Sequence, residues 1–302
     1  MCGVVGIFLK NADHYDHLGQ YMTGVLDALT SRGQDSVGIA IYEVSSQTNQ
    51  TLLSLYHPDL GFDWANALRS MPGIDGTDTG VTTAGHYCFV RVAEKEPHAS
   101  VWLEANWPDI LIMGQGRSLK VIKQAGEFSE IASVYDFGGM AGTHAIGHTR
   151  MATESAVSTG HAHPFAAGDD ICLVHNGSLS NHNGLRRRLE AEGLIFQTDN
   201  DSEVAAKFIA SRLRAGATLK DALEECVAAL DGFYTLAVST RDGFAVLRDP
   251  IACKPATMAE TDDWVALASE YRALTDLPGI ETATIWEPKP ATVYSWFVGE
   301  AA

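Results

Sequence analysis

Cys2-Gly3-Val4-Val5-Gly6-Ile7-Phe8-Leu9 is the stretch on which the fold turns. Residues 3–9 are apolar and rich in β-branched side chains, and they read as a buried strand. A thiol stands immediately before that strand. Methionine aminopeptidases remove Met1 when the next side chain is small, as that of cysteine is. The residue bearing the thiol then also bears the free α-amino group. That amine has an ordinary pKa of about 7.7–8.0, which suits a general base near neutral pH, so the residue needs no separate histidine or aspartate. Taken alone, a cysteine here reads first as a small apolar residue opening a strand.

Working outward, Leu18, Met22, Val25, Leu26 and Leu29 recur at helical spacing, with Gly33 closing the helix. Val37–Val44 reads as a second strand. Residues 50–140 are patterned more loosely, with candidate strands at Thr51–Tyr56, Val81–Val92 and Ile110–Met113 and short helices near Trp64–Met71 and Ser100–Asn106. The second half is clearer. Ala145–Gly147 and Ile171–Val174 read as short buried strands. Leu185 with Leu189, and Val204 with Phe208, Ile209 and Leu213, form helical stripes, and Gly193 caps the first of these helices. Thr218-Leu219-Lys220-Asp221 is a capping-box pattern. Phe233–Ser239 and Phe244–Leu247 flank Arg241-Asp242-Gly243 as a hairpin. Late strands are expected at Val265–Ser269, Ala283–Trp286 and Thr292–Trp296. One domain spanning 1–302, with an atypical insertion at about 50–140, fits this order.

The 302 residues include 46% hydrophobic and 20% charged side chains, ordinary for a globular chain. The formal net charge of −17 disfavours nucleic acid and anionic membrane surfaces, which would repel it. The five cysteines are odd in number and widely spaced, with no C-x-x-C, so neither a disulfide framework nor a cysteine zinc site is expected. That usage suits a reducing cytoplasm. The first residues lack the basic and long apolar regions of a signal peptide, and no apolar run approaches the roughly 20 residues that span a bilayer.

Cys2-Gly3-Val4-Val5-Gly6-Ile7 resembles the start of the class II glutamine amidotransferases, which are N-terminal-nucleophile hydrolases, and the resemblance recurs in order. Ser31-Arg32-Gly33-Gln34-Asp35-Ser36-Val37-Gly38 resembles the family's R-G-x-D-S-x-G segment. Ile146-Gly147-His148-Thr149-Arg150 resembles its G-H-T-R strand, and His163-Pro164-Phe165 its H/Q-P-F turn. Val174-His175-Asn176-Gly177-Ser178-Leu179-Ser180-Asn181 resembles H-N-G-x-L-x-N. Asn200-Asp201-Ser202-Glu203-Val204 resembles S/T-D-T/S-E-V, while Arg248-Asp249-Pro250 and Ala268-Ser269-Glu270 resemble R-D-P and A-S-E. The likeness covers residues 2–45 and about 143–290 and is poor across the middle.

The resemblance implies an α+β fold, a four-layer αββα sandwich of two mainly antiparallel sheets. It also implies chemistry. Cys2 would attack the side-chain amide of glutamine, forming a glutamyl thioester and releasing ammonia. The side-chain amide of Asn176 and the N–H of Gly177 would receive the oxyanion, as two preorganised donors must. Arg32 corresponds to the family arginine near the nucleophile. Arg150 would grip the α-carboxylate with help from Thr153, Asp201 would accept from the α-ammonium, and His175 belongs to the same substrate pocket. Asp201 also reads as a helix N-cap.

Two positions depart from the family, Met151 in place of a common aromatic and Glu154 where some members carry histidine. His144, His148, His161, His163 and His175 invite a metal reading, but most sit in amidotransferase motifs and no metal is expected. Arg186-Arg187-Arg188 reads as a solvated helix face.

Little chain remains for a synthase domain, so the ammonia acceptor site is expected on another polypeptide. The form resembles the stand-alone amidotransferase subunit of glutamate-synthase-like complexes, of which N-methylglutamate synthase is one. That implies no cofactor in this chain and a flavin- and iron–sulfur-bearing partner. Apart from the resemblance, docking to that partner is the role expected of residues 50–140. Two alternatives stand beside this reading: an N-terminal-nucleophile amidase acting on another amide, and a catalytically silent regulatory subunit that keeps the fold.

Overall fold

The computed structural model describes residues 2–44, 49–74, 80–93, 98–151 and 157–299. The apolar run after Cys2 forms β1 (Gly3–Leu9), buried along its whole length. Helix α1 (Leu18–Ala28) buries Leu18, Met22, Val25 and Leu26. It stops at Ala28, and a 3-10 turn over Thr30–Arg32 lies between it and Gly33. The first half continues with β2 (Ser36–Tyr42), β3 (Gln50–Tyr56), α2 (Trp64–Leu68), β4 (Thr82–Ala84), β5 (Tyr87–Ala93), α3 (Ala99–Asn106), β6 (Leu111–Gly116), β7 (Leu119–Ala125) and α4 (Phe128–Val134). The second half runs through β8 (His144–Arg150), β9 (Phe165–Ala166), β10 (Cys172–Leu179), α5 (His182–Ala191), α6 (Asp201–Arg214) and α7 (Leu219–Ala229). It ends with β11 (Gly232–Thr240), β12 (Gly243–Arg248), β13 (Thr257–Glu260), β14 (Trp264–Ala268), β15 (Thr284–Trp286) and β16 (Val293–Phe297).

These strands make three sheets: a seven-stranded one in the order β15-β13-β14-β1-β8-β2-β7, a five-stranded one in the order β16-β12-β11-β10-β9, and a four-stranded one in the order β4-β5-β3-β6. The ladders among the described residues are antiparallel. Side chains alternate across each strand, and that alternation sorts the core into layers. Cys172, Val174, Ala237, Phe244 and Val246 share one apolar cluster with β1, β2, β8 and β14, the space between the two larger sheets. Their neighbours Leu173, Leu236, Val238, Ala245 and Leu247 face the opposite way, into a second cluster with α5, α6 and α7. On the outer face of the seven-stranded sheet α1 packs across β1 and β8. The order is helix, sheet, sheet, helix, the αββα arrangement of the N-terminal-nucleophile hydrolases.

The loosely patterned middle of the sequence divides. The four-stranded sheet has its own core, in which Leu53, Leu55, Val90 and Val92 meet Trp64, Leu68 and Leu103. β7, by contrast, is an edge of the seven-stranded sheet, paired with β2 from Ser36↔Ala125 to Tyr42↔Leu119. Asp170 ties the two parts together. Its carboxylate accepts the N–H groups of Arg117 (2.7 Å), Ser118 (2.9 Å) and Leu119 (2.9 Å) and the Ser118 hydroxyl (3.1 Å), fixing the β6–β7 turn to the start of β10.

Local signals behave as their chemistry demands. The Thr218 side chain and Asp221 form the reciprocal capping box of α7. β11 and β12 join through a two-residue turn closed by the Thr240↔Gly243 pair. Gly193 follows α5 at φ 92°, where its N–H reaches the Glu190 carbonyl.

Candidate active site

The site assembles at one end of the two large sheets. The ladder sets Gly3 opposite Thr149, so the ends of β1 and β8 bring Cys2 beside Arg150, and Ser36 of β2 pairs with Arg150 from the other side. From the facing sheet β10 contributes His175, Asn176 and Gly177, and the first turn of α6 contributes Asp201 and Ser202. Cys2, Arg150, Gly177, His175 and Asp201 line one cleft of about 330 Å³.

Cys2 is held through its backbone. Arg32 Nε donates to the Cys2 carbonyl at 2.9 Å, and the Asn176 side-chain amide donates to the same oxygen at 3.3 Å. Its thiol lies 3.6 Å from the Met151 carbonyl. Arg32 is only 8% exposed, its guanidinium withdrawn from solvent. It pairs with Glu270, which also pairs with Arg272. The Arg272 and Arg32 guanidinium groups hold the Glu270 carboxyl below the usual carboxylate range. Glu270, the last residue of the Ala268-Ser269-Glu270 motif, is thus the group that orients Arg32 against Cys2, a role that the motif alone does not reveal.

Gly177 is demanded by space. A Cβ there would stand 1.8 Å from the Phe233 carbonyl. Its partner across the ladder, Tyr234, donates its N–H to the Asp249 carboxylate (2.9 Å) and accepts from the Asp249 N–H (3.0 Å). Because hydrogen-bonded and non-bonded pairs alternate in an antiparallel ladder, the Gly177 N–H is turned away from β11. β9, on the other flank, reaches only Cys172 and Leu173. Asn176 and Gly177 therefore bring a side-chain amide and an outward-turned N–H to the rim beside Cys2.

Arg150 is 5% exposed. Burial lowers its pKa, and the charges of Cys2, Asp35 and Asp201 oppose that shift. Asp201 does not cap α6; Asn200 does, its side chain accepting from Ser202 N at 2.8 Å. Asp201 instead accepts the Leu179 N–H on Oδ2 at 2.8 Å, which leaves Oδ1 3.8 Å from His175 Nδ1. Thr153 and Glu154 lie outside the described residues.

The histidines separate into different roles. His144 stacks on Tyr42 at 4.2 Å. His161 pairs with Asp199 at 2.8 Å and holds that carboxyl below its usual range. His148, His163 and His175 gather beneath the cleft, with His148 and His163 stacked at 4.2 Å. Among the described residues no set of three or more His, Cys, Asp or Glu side chains is arranged to hold a metal ion. The approach of the loop carrying His163 explains a motif glycine: a Cβ on Gly38 would meet the His163 carbonyl at 2.2 Å.

Fold and site together define a class II glutamine amidotransferase of the N-terminal-nucleophile type, and the chain belongs to that family. The family model described as a glutamine amidotransferase domain matches residues 148–276. The chain is 47% identical over 302 residues to the glutamine amidotransferase-like protein GlxB of Rhizobium meliloti (strain 1021), covering all of both chains. It is also 34% identical over 157 residues to an amidophosphoribosyltransferase of Archaeoglobus fulgidus, covering 51% of this chain and 34% of that one. Among solved structures, the glutamine phosphoribosylpyrophosphate amidotransferase of B. subtilis superposes with a TM-score of 0.60 at 22% identity, over 98% of this chain and 49% of that one. That likeness is one of fold.

Proposed function

We propose that the chain is the glutaminase subunit of an ammonia-transferring complex, with Cys2 as the N-terminal nucleophile. The observation that carries this reading is the convergence of Cys2, Gly177, Arg150 and Asp201 on one cleft, with the Asn176 side-chain amide against the Cys2 carbonyl. After Met1 is removed, the α-amino group of Cys2 takes the thiol proton and the sulfur attacks the glutamine δ-carbonyl carbon. The oxyanion meets the Gly177 N–H and the Asn176 amide, which has a second N–H beyond the one on the Cys2 carbonyl. As the C–N bond breaks, the amine returns the proton to the leaving nitrogen and ammonia departs, leaving a glutamyl thioester. Water then cleaves the thioester to glutamate and restores the thiol. Arg150 binds the α-carboxylate as a bidentate partner, Asp201 binds the α-ammonium, His175 supports it from below, and Thr153 adds a hydroxyl.

The test is a mass spectrum of protein treated with a glutamine-mimicking diazoketone. The expected result is loss of Met1 and one adduct, on Cys2. Retention of Met1, or modification of another cysteine in its place, would refute the mechanism.

The ammonia is consumed on a separate polypeptide, a flavin- and iron–sulfur-bearing synthase of the glutamate-synthase type in the cytoplasm, and the four-stranded sheet is the docking element. Its support is the resemblance to stand-alone amidotransferase subunits, together with a core in that sheet that serves no part of the cleft. Purification from the native host should recover such a partner. Recovery of the chain alone with full glutaminase activity would count against the complex.

A further inference from the structure

Beneath the cleft, one hydroxyl stands at a junction that the proposed chemistry leaves unexplained. Ser202 is 1% exposed. Its Oγ lies 2.8 Å from His163 Nε2, 2.8 Å from His175 Nδ1 and 3.3 Å from Asp201 Oδ1. Three elements meet there: the loop before β9, the strand carrying Asn176 and Gly177, and the first turn of α6 that carries Asp201.

We infer that Ser202 is a positioning residue that sets the protonated nitrogen of His163 and of His175 and locks the Asp201 carboxylate for the substrate ammonium. The inference rests on the glutaminase reading for the role of Asp201, and on hydrogen-bond valence for the rest. A hydroxyl has one proton and two lone pairs, and a neutral imidazole has one N–H and one bare nitrogen. Burial holds the His148 pKa near 3, that of His163 well below its ordinary value, and that of His175 lowered against the pull of Asp201, so the rings are neutral at pH 7. The ionised carboxylate is the strongest acceptor around Ser202 and takes its proton. Both lone pairs of Oγ then receive N–H groups, from His163 Nε2 and His175 Nδ1.

The atoms left over support this assignment. Among the described residues, His163 Nδ1 and His175 Nε2 are buried with no hydrogen-bond partner, and so is His148 Nδ1. With the protons placed as above, the first two are bare acceptors. His148 follows by itself, since its Nε2 lies 3.1 Å from the His175 carbonyl and must donate. The reverse arrangement, with Ser202 donating to an imidazole, would move that ring's proton to a buried nitrogen with no acceptor. Unpaired buried N–H groups are much rarer than unpaired acceptors. The network also fixes both oxygens of Asp201, Oδ2 by the Leu179 N–H at 2.8 Å and Oδ1 by Ser202. Its remaining lone pairs are held toward the cleft that Asp201 lines.

An interaction with the ammonium is the same in the ground and transition states, so losing it raises KM and spares kcat. The Ser202→Ala variant should therefore show a KM for glutamine raised about tenfold or more, with kcat within about threefold of the parent. Ser202→Thr keeps the hydroxyl and should restore KM. Independently of activity, nitrogen-15 NMR of the histidine-labelled parent chain should show His148 and His163 protonated on Nε2 and His175 on Nδ1. A proton on His175 Nε2, a charged ring near pH 7, an unchanged KM in Ser202→Ala, or a fall in kcat alone would overturn the inference. A parent chain with the expected ring protons but no glutaminase activity would instead refute the functional reading, which separates the two failures.

Discussion

Burial pushes the thiols of Cys88 and Cys172 up to about 12, and raises that of Cys226 as well. The thiolate is the reacting form, so these three side chains are inert near neutral pH. Cys2 is partly accessible and Cys253 exposed. Brief alkylation of the native chain with iodoacetamide at pH 7.5 should label Cys2 and Cys253 and spare the others; rapid labelling of Cys172 would contradict the packing of β10. Under the proposed mechanism the diazoketone is more selective, because it must first satisfy Arg150 and Asp201. At this scale the sequence was informative wherever a motif names a contact. Arg32, Asn176, Gly177, Arg150 and Asp201 all fall at the cleft or against Cys2. Ser202 and Glu270 stood inside quoted motifs without a role, because what they do depends on partners 39 and 238 positions away.

The elements that periodicity exposes are those that bury one kind of surface. β1 reads as a continuous apolar run because both faces are covered, α1 as a stripe, and α7 by its capping box. β8 and β10 are longer than the short apolar segments at Ala145–Gly147 and Ile171–Val174 suggest, because their ends carry His148, Thr149, Arg150, His175 and Asn176, polar residues buried for the site. β7 escapes the pattern for a related reason. Lys123 is buried in its middle, where its ammonium donates to the Ala162 carbonyl (2.8 Å) and the Gly160 carbonyl (3.2 Å) and lies over the Phe165 ring. Burial brings its pKa down to about 8. The Asp170 clamp, whose residue sits at φ 53°, was equally invisible, since its donors are backbone groups about fifty positions away. Asp170→Ala would strip acceptors from three N–H groups and force alanine into a left-handed conformation. It should cost about 3 kcal/mol or more, seen as a lower denaturant midpoint at unchanged slope. Asp170→Asn, which tolerates that conformation and keeps an acceptor, should cost less. Equal losses would show that the clamp is not the source.

At the scale of the whole molecule, the buried histidines set an acid limit. Burial lowers the His144 pKa from 6.5 to about 4 and that of His148 to about 3. Below 6.5 the unfolded chain takes up protons that the native chain refuses, so stability is full above that pH and declines as pH falls. The decline continues to about pH 4 for His144 and about pH 3 for His148, where the folded rings also protonate. Thermal midpoints measured from pH 7.5 to 4.5 should fall steadily below 6.5, and His144→Gln should flatten the slope. A midpoint constant across that interval would refute neutral burial of these rings.

The position of β1 between β8 and β14 has a consequence in time. Its two ladder partners are residues 144–149 and 264–268, so the strand that carries the thiol leaves the ribosome long before the strands that flank it. At about 5–20 residues per second, Cys2 waits many seconds with neither neighbour made. An aminopeptidase has that interval to reach the N-terminus while it is still an extended tail. Asn176 and Gly177 of β10 likewise emerge after Cys2, and Glu270, the partner of Arg32, emerges later still. Under the proposed mechanism, nascent chains arrested before residue 264 would therefore carry a processed cysteine that cannot yet turn over an amide.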